Sequence, residues 1–197
     1  VDSVAFDRTK PIWVSMDFGG RHDKTVFIYW QYDGSWFKVL DSYENVNKPA
    51  EWYGPFLNPD RGFNPDLYNE YQQKYIQKLL SWKKPLQYFG EQDHLTKRMP
   101  TNTSIADELW KKAGVKIVCN PYAIQHLPRR EATSRLLPRI IFNKDSDGAM
   151  RIYDAVASSR YGALNRTTTE QLKPVHDDEI ADRRSALENF CVNVPRI

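Results

Sequence analysis

Cysteine is scarce in this chain. There are two among 197 residues, Cys119 and Cys191, far apart and forming no C-x-x-C pair. That argues against a disulfide framework and against a zinc site built on paired thiolates, and the four histidines are scattered. Both cysteines lie in apolar stretches, which predicts buried free thiols suited to a reducing compartment. No apolar run reaches the roughly 20 residues that span a bilayer, and no secretory leader is evident, so a soluble, cytosolic protein is expected. The G-x-x-x-x-G-K-[ST] phosphate loop and the G-x-S-x-G nucleophile elbow are missing, so neither ATP hydrolysis nor serine-hydrolase chemistry is expected of this chain. There is no internal repeat and no low-complexity tract. A strong net charge is lacking too: 28 Lys and Arg against 25 Asp and Glu leave +3. An anionic partner is permitted but not demanded, and where the charges sit matters more than their sum.

What the chain does have is 41% hydrophobic content, enough for one full-sized domain. Residues 1–10 read as a loose lead-in, a linker remnant, and 11–197 as the domain. Strands are predicted at 12–17 and 25–31, then at 36–40 after the Asp33-Gly34 turn. Residues 44–64 are rich in Pro and Gly and read as loop. Trp52, Tyr53 and Phe56 within them either cover a sheet edge or form a contact patch. The spacing of Leu67, Tyr71, Tyr75, Ile76, Leu79 and Leu80 predicts a helix over 66–82. A short strand is expected at 85–91. A helix opens at Thr103 or Ser104 and stops at Gly114. Val115–Cys119 reads as a central strand covered on both faces. A helix is predicted from 125 or 131 to 142, a turn at 145–148, a short strand at 150–153 and a helix over 154–164. A last helix begins near His176-Asp177-Asp178, with Ile180, Leu187, Cys191 and Val194 on one stripe. The order implies an α/β fold: a mixed central sheet flanked by helices on both faces.

Acidic residues recur at element ends. Asp17 closes the first strand. Glu91 closes the strand after the first helix, with Asp93 two residues on. Asp177 and Asp178 open the final helix. In an open α/β sheet, such ends converge beside the switch point. Carboxylates held together repel unless a cation sits between them, and hard divalent ions such as Mg²⁺ or Mn²⁺ take oxygen ligands. Gly19 and Gly20 would let a phosphate backbone approach closely. Each cluster alone is also ordinary turn or helix-capping chemistry; the conjunction is what points to a metal site.

These residues resemble a known family. Met16-Asp17-Phe18-Gly19-Gly20 with Asp23-Lys24-Thr25, the strand Tyr88-Phe89-Gly90-Glu91, and Val175-His176-Asp177-Asp178-Glu179-Ile180-Ala181-Asp182 look like the acidic motifs of the nuclease domain of bacteriophage large terminase subunits. The final motif is the most specific, and the likeness spans about residues 10–192. The resemblance implies a ribonuclease H-like (integrase-type) fold and a metal-dependent endonuclease in the host cytoplasm. It would cut concatemeric viral double-stranded DNA for packaging, by two-metal chemistry with Mg²⁺ or Mn²⁺. It also implies that Asp17 is the ligand shared by both ions, that Glu91 or Asp93 is the second, and that Asp177 or Asp178 is the third. Asp182 is a further acid one turn on, and His176 could bind a phosphate or water. The portal protein and small terminase subunit are implied partners. Large terminases join an ATPase motor to the nuclease, so the chain reads as an excised domain or a stand-alone relative, with the linker-like residues 1–10 favouring the first. A junction resolvase of the same superfamily and a non-catalytic DNA-binding or assembly module remain alternatives.

The basic residues suited to DNA phosphates are Arg129, Arg130, Arg135 and Arg139 around one predicted helix, and Lys97 and Arg98 after the second acidic strand, with Lys83 and Lys84 before it. Arg183 and Arg184 are expected to pair with nearby acids.

Overall fold

The computed structural model describes residues 1–19, 23–82, 84–97, 102–121, 126–159 and 178–194. Six strands form one sheet in the order β5-β4-β1-β2-β3-β6. β1 (Trp13–Asp17), β2 (Thr25–Tyr32) and β3 (Phe37–Asn45) make the expected antiparallel meander. Asp33 turns β2 into β3 by accepting from the Ser35 and Trp36 amides at 2.9 and 2.8 Å, while Gly34 takes φ 106°, which a side chain would disfavour. β4 (Gln87–Phe89) and β5 (Ile117–Val118) run parallel outward from β1, and β6 (Ile140–Phe142) runs parallel to β3 at the other edge.

Side chains alternate between the two faces, so each face buries its own core. On one side Val14, Met16, Phe27, Tyr29 and Tyr43 pack beneath α1 (Gly54–Leu57), α2 (Glu70–Leu80) and α3 (Ile105–Ala113). On the other Val26, Ile28, Trp30 and Phe37 pack beneath α4 (His126–Leu136), α5 (Asp147–Ser158) and α6 (Asp178–Asn193). The Phe190 ring of α6 stacks on Trp30 at 3.9 Å and pins that helix to the sheet. Caps set the helix ends: a reciprocal Asn69–Gln72 box opens α2, Ser104 opens α3, and Gly114 closes α3 in the left-handed region.

Several expectations change. The 115–119 segment is covered on both faces but supplies an edge strand, because β4 lies between it and β1. Residues 150–153 are helical, not extended. Ser146 caps α5 by accepting from the Ala149 amide at 3.1 Å, and Gly148, Ala149, Ile152 and Ala155 then form a buried helical stripe. The helix expected to reach 142 ends at Leu136, where Pro138 breaks it, and 140–142 joins the sheet as β6. Tyr53 and Phe56 are fully buried, with Phe56 stacked on Tyr43 at 3.9 Å, so they are core rather than a contact patch. The first ten residues are docked, not loose: Asp2 bridges to Asn143, Gln31 hydrogen-bonds the backbone of Asp7 and Lys10, and Phe6 stacks on Trp82. Cys191 is buried and Cys119 half-buried, both as free thiols.

Candidate metal centre

β1 and β4 are parallel neighbours, so their carboxyl ends lie side by side. β1 ends in Asp17, and β4 runs through Gly90 to Glu91. Asp17 sits opposite Val26, a residue of the core beneath α6, so its side chain points to the α6 side of the sheet. There α6 delivers Asp182, whose Oδ2 accepts a 2.7 Å hydrogen bond from the Lys24 amide in the β1–β2 connection. Three carboxyl groups thus meet. Burial and the charges of Glu91 and Asp182, with a hydrogen bond shared between Asp17 and Glu91, push the Asp17 carboxyl well above the usual carboxylate range; the Arg129 guanidinium pulls the other way.

Glu91 is held from several directions. Its Oε1 lies 3.2 Å from Arg129 Nη1 and 3.4 Å from Asn189 Nδ2, and its carbonyl accepts from the Cys119 thiol at 2.9 Å. The buried His94 ring faces the amide of Glu91 at 3.2 Å through Nδ1 and the amide of Phe18 at 3.3 Å through Nε2, so one imidazole sits between the ends of the two strands. A neutral ring can accept one of these two bonds. Asn189, fully buried, also donates to the Met16 carbonyl at 2.9 Å. Asp182, Asn189 and Asn193 recur at helical spacing along α6 and face the strand ends.

The expected site residues fare differently. Asp17 and Glu91 come together. Asp93 is exposed on a 3-10 turn two residues beyond Glu91. His176 and Asp177 lie outside the described residues; Asp178 opens α6, one turn before Asp182, but its side chain is not described. Asp182, considered only as a further acid from the sequence, is the described carboxylate of α6 that acts on Asp17. The basic residues are dispersed. Arg129 is buried against Glu91 instead of facing outward for DNA. Arg139 donates to the Ser35 carbonyl and the Tyr32 hydroxyl at the hairpin end of the sheet, six residues along β2 from Val26 and so roughly 20 Å from Asp17. Lys97 and Arg135 are exposed, Arg130 is half-buried, and Arg98 lies outside the described residues. Closer to the acids, Glu44 at the end of β3 gathers Arg183 at 2.8 Å, Arg151 at 3.5 Å and Lys24 at 3.6 Å. At Gly19 a Cβ would meet the backbone of Asp23 and Lys24, so the glycine is what lets the β1–β2 connection pass this closely. Gly20 lies outside the described residues.

The donor set fits a hard divalent cation. It is all oxygen, it is crowded enough to disfavour its own ionisation at Asp17, and a cation would relieve that directly. Among the described residues, no three His, Cys, Asp or Glu side chains are close enough to enclose an ion as they stand, so the acids are gathered but not arranged as a finished ligand cage.

No family model matches the sequence, and no curated protein matches it. Solved structures do. The large terminase of a thermophilic bacteriophage, in complex with ATP-γ-S, matches 98% of this chain and 42% of its own, at 16% identity and a TM-score of 0.62. The large terminase nuclease of thermophilic phage G20c matches 92% of this chain and 83% of its own, at 13% identity and a TM-score of 0.55. The large terminase nuclease domain of bacteriophage SPP1 with bound Mn matches 92% and 87%, at 16% identity and a TM-score of 0.54. The fold is that of the large terminase nuclease domains, a ribonuclease H-like sheet. Against a second structure of the first of these terminases, the chain spans about 41% of the longer protein's length. Within the terminase-nuclease fold, Asp17, Glu91 and Asp182 occupy the carboxyl ends of adjacent parallel strands and the helix that crosses them, the place where α/β folds of this kind collect their functional groups. No described helix is long and apolar enough to cross a membrane.

Proposed function

We propose that the chain is the nuclease domain of a viral large terminase, cutting double-stranded DNA concatemers in the host cytoplasm with Mg²⁺ or Mn²⁺, two ions in the working site. The observation that carries this reading is the meeting of Asp17, Glu91 and Asp182 at the carboxyl ends of β1 and β4 in a terminase-nuclease fold, where like charges crowd Asp17. The Mn bound in the SPP1 domain adds support for a divalent ion.

In this reading Asp17, Glu91 and Asp182 would hold the cations, with Asp178 or Asp177 completing the ligands. A cation bound here would acidify a water and offset charge on the leaving oxygen during phosphodiester hydrolysis. The Lys24 amide keeps Asp182 turned inward, and the buried His94 ring sits between the ends of β1 and β4, where it can accept from one of their two amides. Lys97, Arg98, Arg130, Arg135 and His176 are proposed to contact phosphates rather than bases, so cutting should show little sequence preference. The ATPase motor, the portal protein and the small terminase subunit belong to the assembly in which such a domain would work.

Plasmid nicking and linearisation by the purified protein tests this. Cutting is expected with Mn²⁺ or Mg²⁺ and none with EDTA. Asp17→Asn and Asp182→Asn, folded as judged by circular dichroism, should each lower the rate by about 100-fold or more, the scale of several kcal/mol that a metal contributes to transition-state charge stabilisation. Equal activity in wild type and both variants would overturn the assignment.

A further inference from the structure

Arg129 is the least expected residue of the site. Buried guanidinium groups are costly unless fully paired, yet this one has an Nε without a hydrogen-bond partner. Its Nη1 lies 3.2 Å from Glu91 Oε1 and 3.4 Å from Asn189 Oδ1, and its charge also acts on the buried Glu188 of α6. An apolar side chain of similar volume would fill the place between α4 and α6 at lower cost. Asn189 completes the arrangement by donating to the same Glu91 oxygen and to the carbonyl of Met16, the residue before Asp17. Two positively polarised groups from two helices therefore hold one oxygen of Glu91, and one of them also grips the strand that carries Asp17.

We propose that Arg129 and Asn189 are positioning residues that clamp Glu91 by Oε1, keeping its other oxygen outside the clamp for the cation shared with Asp17. This rests on reading the site as a divalent-metal centre. Without the clamp, Glu91 would be free to swing away from the like charges of Asp17 and Asp182, and the ligand set would have to be reassembled each time a cation bound. Groups that orient metal ligands in this way typically change affinity or activity by about 10–100-fold when removed.

The sign of the effect separates a clamp from a simple charge. A cation beside a metal site repels the metal, so if Arg129 contributes charge alone, its removal should tighten Mn²⁺ binding. If it positions Glu91, removal should weaken it. Mn²⁺ affinity is measured by electron paramagnetic resonance on wild type, Arg129→Met and Arg129→Lys, together with cleavage kinetics. Arg129→Met is expected to bind Mn²⁺ about 10–100-fold more weakly, with kcat reduced and KM for DNA little changed. Arg129→Lys keeps the charge but cannot reach both Glu91 and Asn189, so its loss should be intermediate. Unchanged or tighter Mn²⁺ binding in Arg129→Met would overturn the clamp. Should that variant fail to fold, wild-type Mn²⁺ affinity in folded Arg129→Lys would overturn it instead. A wild type that binds no Mn²⁺, and is indistinguishable from Asp17→Asn, would overturn the metal-centre reading, and the clamp with it.

Discussion

At Asp17, burial and two neighbouring carboxylates act in the same direction, against the charged form. The folded residue therefore keeps its proton to a higher pH than the unfolded one, whose carboxyl titrates near 3.8. Between those two values the folded state holds more protons, so the stability of the metal-free protein should fall as pH rises through that window. Asp17→Asn removes the charge while keeping the shape. In EDTA at neutral pH it is expected to melt a few degrees above wild type, and about 2–4 °C corresponds to each kcal/mol in a chain of this size. Adding Mn²⁺ should raise the melting temperature of wild type and leave the variant unmoved. A variant less stable than wild type in EDTA would show that the crowding of acids is not the dominant force at Asp17. Glu44 is the opposite case: burial raises its carboxyl, but the Arg183 hydrogen bonds, with the charges of Arg183, Lys24 and Arg151, outweigh that and hold it below its ordinary value. Its stabilisation is present above the unfolded pKa and lost as pH falls through the folded one.

At the scale of elements, α6 connects the core to the site. Phe190 fills the core over Trp30, while Asn189 and Asp182 on the same helix reach the strand ends. Phe190→Ala should therefore cost about 3–5 kcal/mol. Thermal denaturation in EDTA is expected to show a drop in melting temperature of about 6–20 °C. Because the same helix carries Asp182, cleavage measured well below the melting point should fall as well. A Phe190→Ala protein of unchanged stability would mean that the packing of α6 is not what holds the acid in place. The meander, α2 and the capping of α3 were legible because periodicity and turn chemistry agreed there, whereas the short α1 falls in a segment whose Pro and Gly content reads as loop. α5 and β6 were not. Met150-Arg151-Ile152-Tyr153 has the residue types of a strand, and the cap that decides its state, Ser146, also donates at 2.6 Å to Asp41 on β3, a partner 105 residues away. The 140–142 segment is too short to declare itself before β3 is there to pair with it.

For the molecule as a whole, the fold class could be read from the chain, and so could the approach of Asp17 and Glu91, since Asp17 ends β1 and Glu91 follows β4 by two residues. Asp182 was harder to single out, because choosing among four acids within six residues at 177–182 depends on how α6 lies across the sheet. Arg129 was misjudged for a related reason. A cation in a helix with Arg130 and Arg135 looks like solvated surface until the helix is placed, and only then does it face Glu91. The central claim is that these carboxylates form one divalent-metal centre, and it is tested most directly by diffraction from crystals grown in Mn²⁺, using the anomalous signal of manganese. A peak bounded by Asp17, Glu91 and Asp182, absent from Asp17→Asn crystals grown in the same solution, is the expected result. No peak at this site at saturating Mn²⁺, or the same peak in the variant, would contradict it.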